Sequence, residues 1–176
     1  MSTKINSYTL PKETKNEMVD TIGMSIKSNV EHGFKLCLDK DNNIRQGKLC
    51  KGRECSVDIT QLQCEEDEKP VGIFHTHQKT LNPSVRDLAV GYLNEMNCIG
   101  SFEGIKCFKR KREDLDALEY AEIRLIEDKE QFIKFERDRW LAKEITNKEF
   151  KEEVEKYRKD VDRLVNSYFR VIDIMK

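Results

Sequence analysis

The sequence predicts a mixed α/β fold of the α+β kind, in which a mixed central sheet is flanked by helices and followed by a C-terminal helical extension. Two observations predict it. Up to residue 111, short strand-like runs alternate with amphipathic helical segments. From residue 112 to the end there is no glycine or proline, and the pattern is typical of helices. The 176 residues therefore divide into a predicted domain at 1–111 and a predicted helical extension at 112–176.

The composition gives no sign of nucleic-acid binding, and we expect no nucleic-acid partner. Charged residues make up 37% of the chain and hydrophobic residues 38%, a polar balance that we assign to long solvated helices. The formal net charge is −1, which provides no concentrated positive surface for phosphates. The one basic cluster, KRKR at residues 109–112, is followed by Glu113 and Asp114 and is predicted to be a solvated strand end.

The chain begins with the polar residues MSTK, and no apolar run is long enough to span a bilayer. We expect no membrane association and a cytoplasmic location, where the six cysteines would be reduced thiols. Three of them lie in apolar runs and are predicted core residues: Cys37, Cys98 and Cys107. The other three leave a second structural zinc site open as an alternative, although their spacing is unusual: Cys50, Cys55 and Cys64.

The first third of the domain predicts a helix followed by three strands. Residues 11–30 predict the helix, because apolar side chains recur at every fourth position from Met18. His32 and Gly33 follow, and we interpret them as the helix stop. The alternating run 34–38 and the run 44–49 predict a hairpin around an Asp-Asn-Asn turn. A third strand is predicted at residues 55–59.

The rest of the domain predicts a buried strand, a loop, a helix and a second hairpin. The apolar run 71–74 predicts the strand, and residues 76–83 predict the loop. The sequence SVRD from Ser84 matches a capping box with aspartate in place of glutamate, so a helix is expected to begin there. Residues 98–101 and 104–108 predict two strands joined by a tight turn.

The extension predicts a coiled-coil-like helical hairpin. Residues 115–141 are predicted to be helical, with a strand at 120–126 as the alternative, and Thr146 begins a second capping box. An apolar stripe in steps of four and three then follows: Phe150, Val154, Tyr157, Val161, Leu164 and Tyr168. This stripe can pack on the preceding helix, on the domain or on a second copy of the chain, and the sequence leaves these three open.

Two histidines and one aspartate predict a metal site. His75 and His77 are two residues apart at the end of a strand, so both imidazoles face the same side. Asp87 lies in the first turn of the next helix, from which its carboxylate can turn back toward the strand end. Two imidazoles and one carboxylate suit zinc and leave a fourth position for water, as catalytic sites do.

A zinc hydrolase also needs a base beside the attacking water, and Glu31 is the candidate. It is predicted to end the first helix, directly before the strand at 34–38. If that strand and the strand at 71–74 share a sheet, Glu31 lies near the metal. The alternatives are an ordinary polar surface for the histidine pair and a surface carboxylate for Glu31.

Two motifs resemble the signature of the JAMM (MPN-plus) metalloprotease family. The sequence GIFHTH at residues 72–77, followed by NPSVRD at 82–87, resembles the family's His-x-His and Pro-Ser-x-x-Asp elements. The segment VEHGFKL at residues 30–36 resembles the family's upstream glutamate before a glycine-containing strand. The strands at 98–100 and 104–108 resemble those that close the family's sheet.

The resemblance implies a JAMM/MPN-like fold with zinc on His75, His77 and Asp87, and Glu31 as the general acid and base. It makes Ser84 a hydroxyl that stabilises the tetrahedral oxyanion, although Ser84 as a helix cap alone stays open. The chain departs from the family pattern at Gln78, where many members have proline, and in a loop to Ser84 that is one residue shorter than usual.

Family members cleave isopeptide or peptide bonds after the C-terminal glycine of ubiquitin-like or sulfur-carrier proteins, so the expected function is a zinc metallo-isopeptidase or peptidase with such a protein as substrate. The alternative is a non-catalytic MPN-type scaffold that binds a partner, or a second copy as a homodimer, through its C-terminal helices. A hydrolase of small-molecule amides is a third possibility.

Overall fold

The computed structural model describes residues 2–52 and 64–175. Its helices are α1 (Lys12–Ser28), α2 (Val85–Asn94), α3 (Ala117–Leu141) and α4 (Asn147–Tyr168). Its strands are β1 (Thr3–Ile5), β2 (Tyr8–Leu10), β3 (His32–Leu38), β4 (Ile44–Lys51), β5 (Lys69–Thr76), β6 (Met96–Ser101), β7 (Gly104–Arg110) and β8 (Phe169–Met175). These elements confirm the predicted α+β class.

Six strands form one mixed sheet in the order β4-β3-β5-β6-β7-β8. Neighbouring strands are antiparallel except β5 and β6, which run parallel. A parallel pair needs a crossover connection, and the loop after β5 together with α2 provides it. The start of α2 consequently lies beside the C-terminal end of β5.

The sheet has a hydrophobic cluster on each face. One cluster contains Met18 of α1 with strand residues such as Phe34 and Phe74. The other contains α2 residues packed with Ile123 of α3 and Leu164 of α4. Helices therefore flank both faces of the sheet, as predicted. Helix α4 packs on α3 and on the second cluster, so part of its apolar stripe is buried within one chain.

Helix α1 differs from its prediction in its end and in its buried face. It ends at Ser28, and Asn29 adopts the left-handed conformation with φ 57°, so the predicted stop at His32 and Gly33 is wrong. Of the predicted apolar row, Met18 is buried and Ile22 packs against the core, whereas Ile26 is exposed. The other buried positions of α1 are hydroxyl residues: Thr14, Thr21 and Ser25. They can be buried because their hydroxyls find partners, as Thr14 does by donating to the Ile44 carbonyl at 2.7 Å.

The strands predicted at 34–38, 44–49 and 71–74, and the pair 98–101 and 104–108, are confirmed within longer strands. The strand predicted at 55–59 lies outside the described residues. The sequence analysis missed the β1–β2 hairpin, because strands of three residues are too short for an alternating pattern to be recognised.

The extension is a helical hairpin that ends in a strand. Both helices and the capping box at Thr146 are confirmed, and the alternative strand at 120–126 is wrong. The helical prediction is also wrong for residues 169–175, which form β8 and pair with β7 at the edge of the sheet. The last part of the extension thus belongs to the sheet of the predicted domain, while the boundary at 111 stays a prediction.

The cysteines form disulfides instead of the predicted reduced thiols. Cys37 is bonded to Cys64, and Cys98 is bonded to Cys107 directly across the β6–β7 pair. Cys64 is therefore not a ligand of a second zinc site, and Cys55 lies outside the described residues. The cytoplasmic location stays a prediction.

The basic cluster is less solvated than predicted. Lys109 and Arg110 are buried, with 8% and 5% exposure. Arg110 donates to the backbone carbonyls of Tyr92 and Glu113, so it connects the end of β7 to α2 and to the loop that follows β7. Within residues 2–52 and 64–175, no helix is both long and apolar enough to cross a membrane.

Gly33 lies where β3 has no room for a side chain against β5, beside the predicted site. A Cβ at this position would lie 2.5 Å from the Phe74 carbonyl oxygen and 3.1 Å from the Cβ of His75. Gly33→Ala is therefore expected to lower the free energy of unfolding by about 2 kcal/mol, because the strands must separate. Denaturant unfolding followed by circular dichroism measures the change.

Gly23→Ala is the matched control, because a Cβ at this exposed position of α1 would meet no atom of the described residues within 4 Å. It is expected to raise the free energy of unfolding by about 0.5–1 kcal/mol through helix propensity. Equal effects of the two substitutions would contradict the close approach of β3 and β5.

Candidate metal centre

His75 and His77 lie at the C-terminal end of β5, where the strand runs into the loop. Their side chains point to the same side because they are two residues apart on extended backbone. The backbone N–H of His77 donates to the Gly100 carbonyl at 2.9 Å, which extends the pairing with β6 past the end of the strand. Both imidazoles are thereby fixed by the sheet rather than by the loop.

Asp87 is fixed by the capping box that the sequence predicted. The hydroxyl oxygen of Ser84 accepts the N–H of Asp87 at 3.0 Å. In return, the N–H of Ser84 donates to Oδ2 of Asp87 at 2.9 Å. A carboxylate in the first turn is also favoured by the helix dipole. The cap therefore sets the orientation of the carboxylate that faces the histidines.

The three side chains converge on one point. Nε2 of His75 lies 3.0 Å from Nε2 of His77. The carboxylate of Asp87 lies 3.2 Å from Nε2 of His75 through Oδ1, and 3.1 Å from Nε2 of His77 through Oδ2. Three ligands at about 2.05 Å from a tetrahedral ion lie roughly 3.3 Å apart. The group can therefore hold a metal ion. In the described part of the chain, it is the one cluster of three or more histidine, cysteine, aspartate or glutamate side chains that lie close enough to share an ion.

The electrostatics of the group favour a cation. Burial opposes charge on Asp87, but the imidazoles of His75 and His77 outweigh it and hold the pKa of this carboxyl well below its usual range. Burial likewise opposes charge on His75, but the carboxylates of Asp87 and Glu31 raise its pKa. The side chains of His75, His77 and Asp87 are 12%, 19% and 16% exposed, so solvent reaches the group.

Asn97 of β6 is a site residue that the sequence analysis missed. Its Nδ2 donates to the backbone carbonyl of Asp87 at 2.9 Å. Its Oδ1 is buried and has no hydrogen-bond partner among residues 2–52 and 64–175. The Asn97 side chain also contributes to the raised pKa of His75. An N–H on Nδ1 of His75 would satisfy this oxygen and leave Nε2 free as a ligand, which is the usual arrangement around protein-bound metals. A polar residue inside the apolar run 96–99 was the signal available in the sequence.

Glu31 lies in the loop between α1 and β3, and not at the end of the helix as predicted. The antiparallel register pairs Gly33 with His75, which places the start of β3 beside the end of β5. Glu31 is exposed, its backbone carbonyl accepts the N–H of Gly52 at 2.6 Å, and its charge contributes to the raised pKa of His75. The charge of Glu31 thus acts on His75, while Glu31 is not one of the three converging side chains.

A hydroxyl network connects the histidine strand to α1. The N–H of His32 donates to Oγ1 of Thr76 at 2.9 Å, and that hydroxyl donates to Oγ of Ser25 at 2.8 Å. Gln78 donates to the same Ser25 oxygen at 3.2 Å. Gln78, which stands where the JAMM pattern has proline, therefore anchors the loop directly after His77.

The fold and the site together define a mixed α/β protein with a two-histidine, one-aspartate group that can hold a metal ion. No family model matches the chain, and no curated protein matches it at a significant level.

Proposed function

We propose that the protein is a zinc-dependent metallo-isopeptidase or peptidase of the JAMM type. The observation that carries the proposal is the convergence of His75, His77 and Asp87 to within 3.0–3.2 Å, with Glu31 close enough to influence His75. Nitrogen and oxygen ligands in this number suit zinc and leave a position open for a water molecule or a carbonyl oxygen.

Bound zinc would lower the pKa of a coordinated water and polarise the carbonyl of the scissile amide. Glu31 takes a proton from the attacking water as the oxygen–carbon bond forms. It then gives that proton to the nitrogen as the carbon–nitrogen bond breaks, so that a neutral amine leaves. The exposure of Glu31 is consistent with this role, because the carboxylate must reach both water and substrate.

Ser84 has a second role in this proposal besides capping α2. Its oxygen accepts the N–H of Asp87, and this bond does not use the proton of its own O–H group. Donation to the oxygen that gains charge as water adds to the carbonyl would stabilise the tetrahedral species. The cap and the donor role are therefore compatible in one side chain.

The proposed substrate class is the C-terminal glycine amide of a ubiquitin-like or sulfur-carrier protein, and this rests on the motif resemblance. Metal analysis of purified protein is expected to give one zinc per chain, and incubation with a panel of ubiquitin-like conjugates is expected to release the free C-terminus. The panel also includes small peptides and simple amides. Zinc-loaded protein that cleaves none of these substrates would contradict the proposed activity.

Asn97→Leu tests whether Asn97 helps to orient His75 and Asp87 for metal binding. Leucine keeps the branched shape and the number of side-chain heavy atoms, although its volume is larger, and it removes the acceptor for His75 and the donor to the Asp87 carbonyl. We expect zinc binding to weaken by about 10–100-fold, as measured by competition with a chromogenic chelator. Asn94→Leu is the control, because Asn94 also donates to a backbone carbonyl of α2 but at the far end of that helix. The same loss in both variants would contradict the role of Asn97.

A further inference from the structure

Thr76 lies between the two histidines of the metal group, and its side chain points to the opposite face of the sheet, where it is fully buried. Its backbone pairs with Gly100 of β6. Its hydroxyl oxygen accepts the N–H of His32 at 2.9 Å, and the hydroxyl proton is donated to Oγ of Ser25 at 2.8 Å. One side chain therefore connects the histidine strand both to the start of β3 and to α1.

The hydroxyl of Thr76 extends the pairing of β3 with β5 by one position. The paired residues at this end of the two strands are Gly33 and His75. The next position of the same register brings His32 opposite Thr76, and there the side chain of Thr76 accepts the backbone N–H. Because His32 is buried, with 7% exposure, water is a poor substitute for this acceptor.

Glu31, the proposed base, directly precedes this bonded N–H. The carbonyl of Glu31 accepts the N–H of Gly52 at 2.6 Å. Because a carbonyl oxygen can only accept, Nδ1–H of His32 donates to the Val30 carbonyl at 2.8 Å. Together with the bond to Thr76, these contacts fix the backbone on both sides of Glu31, whereas its side chain is exposed. The bond to Thr76 is the one that joins this loop to the histidine strand.

We propose that Thr76 is a positioning residue, whose hydroxyl fixes the backbone beside Glu31 relative to the two histidines of the metal group. The same five-atom backbone segment that carries the Glu31 carboxylate is thereby tied to the strand that carries the imidazoles. A displacement of about 1 Å at a reacting group can lower a rate by about 100-fold. The effect on turnover rests on the proposed function, whereas the effect on the backbone at His32 does not.

Thr76→Val, Thr76→Ser and Thr14→Val form the set of variants for the test. Valine keeps the branched shape of threonine but has no hydroxyl, whereas serine restores the hydroxyl. Thr14→Val is the matched control, because Thr14 is also fully buried and its hydroxyl donates to the carbonyl of Ile44 at 2.7 Å. Three quantities are measured: kcat with the conjugate that the wild type cleaves fastest, zinc affinity by chelator competition, and amide hydrogen exchange at His32 in the metal-free protein.

For Thr76→Val we expect kcat to fall by about 10–100-fold and the His32 amide to exchange severalfold faster than in the wild type. Zinc affinity is expected to change by no more than about threefold, since no converging side chain is altered. Thr76→Ser is expected to stay within about threefold of the wild type in kcat, and Thr14→Val to match it in all three quantities. If Thr76→Val does not fold, Thr76→Ala serves instead, because it removes the hydroxyl without placing a methyl group against the N–H of His32.

The double variant Glu31→Gln/Thr76→Val separates positioning of the base from a general structural effect. If Thr76 acts through Glu31, its substitution should cost nothing once the base is absent, so kcat should stay within about twofold of that of Glu31→Gln alone. A further loss as large as that of Thr76→Val in the wild-type background would overturn the proposal, because Thr76 would then act independently of Glu31.

Unchanged exchange of the His32 amide in Thr76→Val would also overturn the proposal, whatever the turnover. A wild-type protein that binds no zinc, or that cleaves no substrate of the panel, would instead refute the proposed function. Faster exchange at His32 in metal-free Thr76→Val, with the rate restored in Thr76→Ser, would then still support the role of the hydroxyl in fixing the start of β3.

Discussion

Asp87→Asn is expected to weaken zinc binding by at least ~100-fold, because a lost ligand should cost more than the 10–100-fold typical of residues that only support ligands. The amide keeps the size of the carboxylate and can still accept the N–H of Ser84. The charge that faces both imidazoles is lost, however, and with it the anionic oxygen at 3.1–3.2 Å from each Nε2. Chelator competition on purified protein measures the affinity, and metal analysis after dialysis measures the retained zinc.

Asp116→Asn is the control for this substitution. Asp116 is also an aspartate at a helix start, where its side chain accepts the N–H groups of Leu118 and Glu119. Asparagine is a good cap, so the fold should be retained, and zinc affinity is expected to stay within about twofold of the wild type. Undiminished zinc binding by Asp87→Asn would refute the metal centre.

Glu31→Gln is expected to lower kcat by about 10²–10⁴-fold at saturating zinc, while the affinity for zinc changes by no more than about twofold. Glutamine has nearly the same shape but cannot take up a proton, so neither proton transfer of the proposed reaction is assisted. Zinc should remain bound because Glu31 is not among the three converging groups. Parallel measurement of turnover and of metal content separates these two effects.

Glu103→Gln is the matched control, since Glu103 is an exposed glutamate in the turn between β6 and β7. It is expected to have wild-type turnover. Full activity of Glu31→Gln would remove Glu31 from the mechanism but leave the metal centre intact. Loss of both zinc and activity would instead indicate that Glu31 is a ligand.

The convergence of His75, His77 and Asp87 was predictable because it depends on local geometry. Two histidines two residues apart on a strand face the same side whatever the strand pairs with. The capping box of Ser84 and Asp87 is likewise closed within four residues, so a single sequence motif fixes both the helix start and the direction of the carboxylate. The resemblance to the JAMM pattern suggests a role for these residues. Because no family model matches the chain, that role stays a prediction.

The supporting residues were not predictable because their positions depend on register between distant strands. Asn97 reaches Asp87 and His75 only because β6 runs parallel to β5 and pairs Ile73 with Asn97. Ser25 contacts Gln78 only because α1 packs at this end of the sheet. Hydrogen bonds of this kind span 10 to 53 residues, and no periodic pattern encodes such a partner.

The sequence by itself determined the α+β class, the order of most helices and strands, and the three residues that converge, because each depends on short-range periodicity or on a motif within one turn. Tertiary structure alone decided that residues 169–175 return to the sheet, that Cys37 pairs with Cys64, and that Asn97 donates to the Asp87 carbonyl. These features depend on burial and on the satisfaction of polar groups between segments far apart in the chain, which become defined only when the core forms.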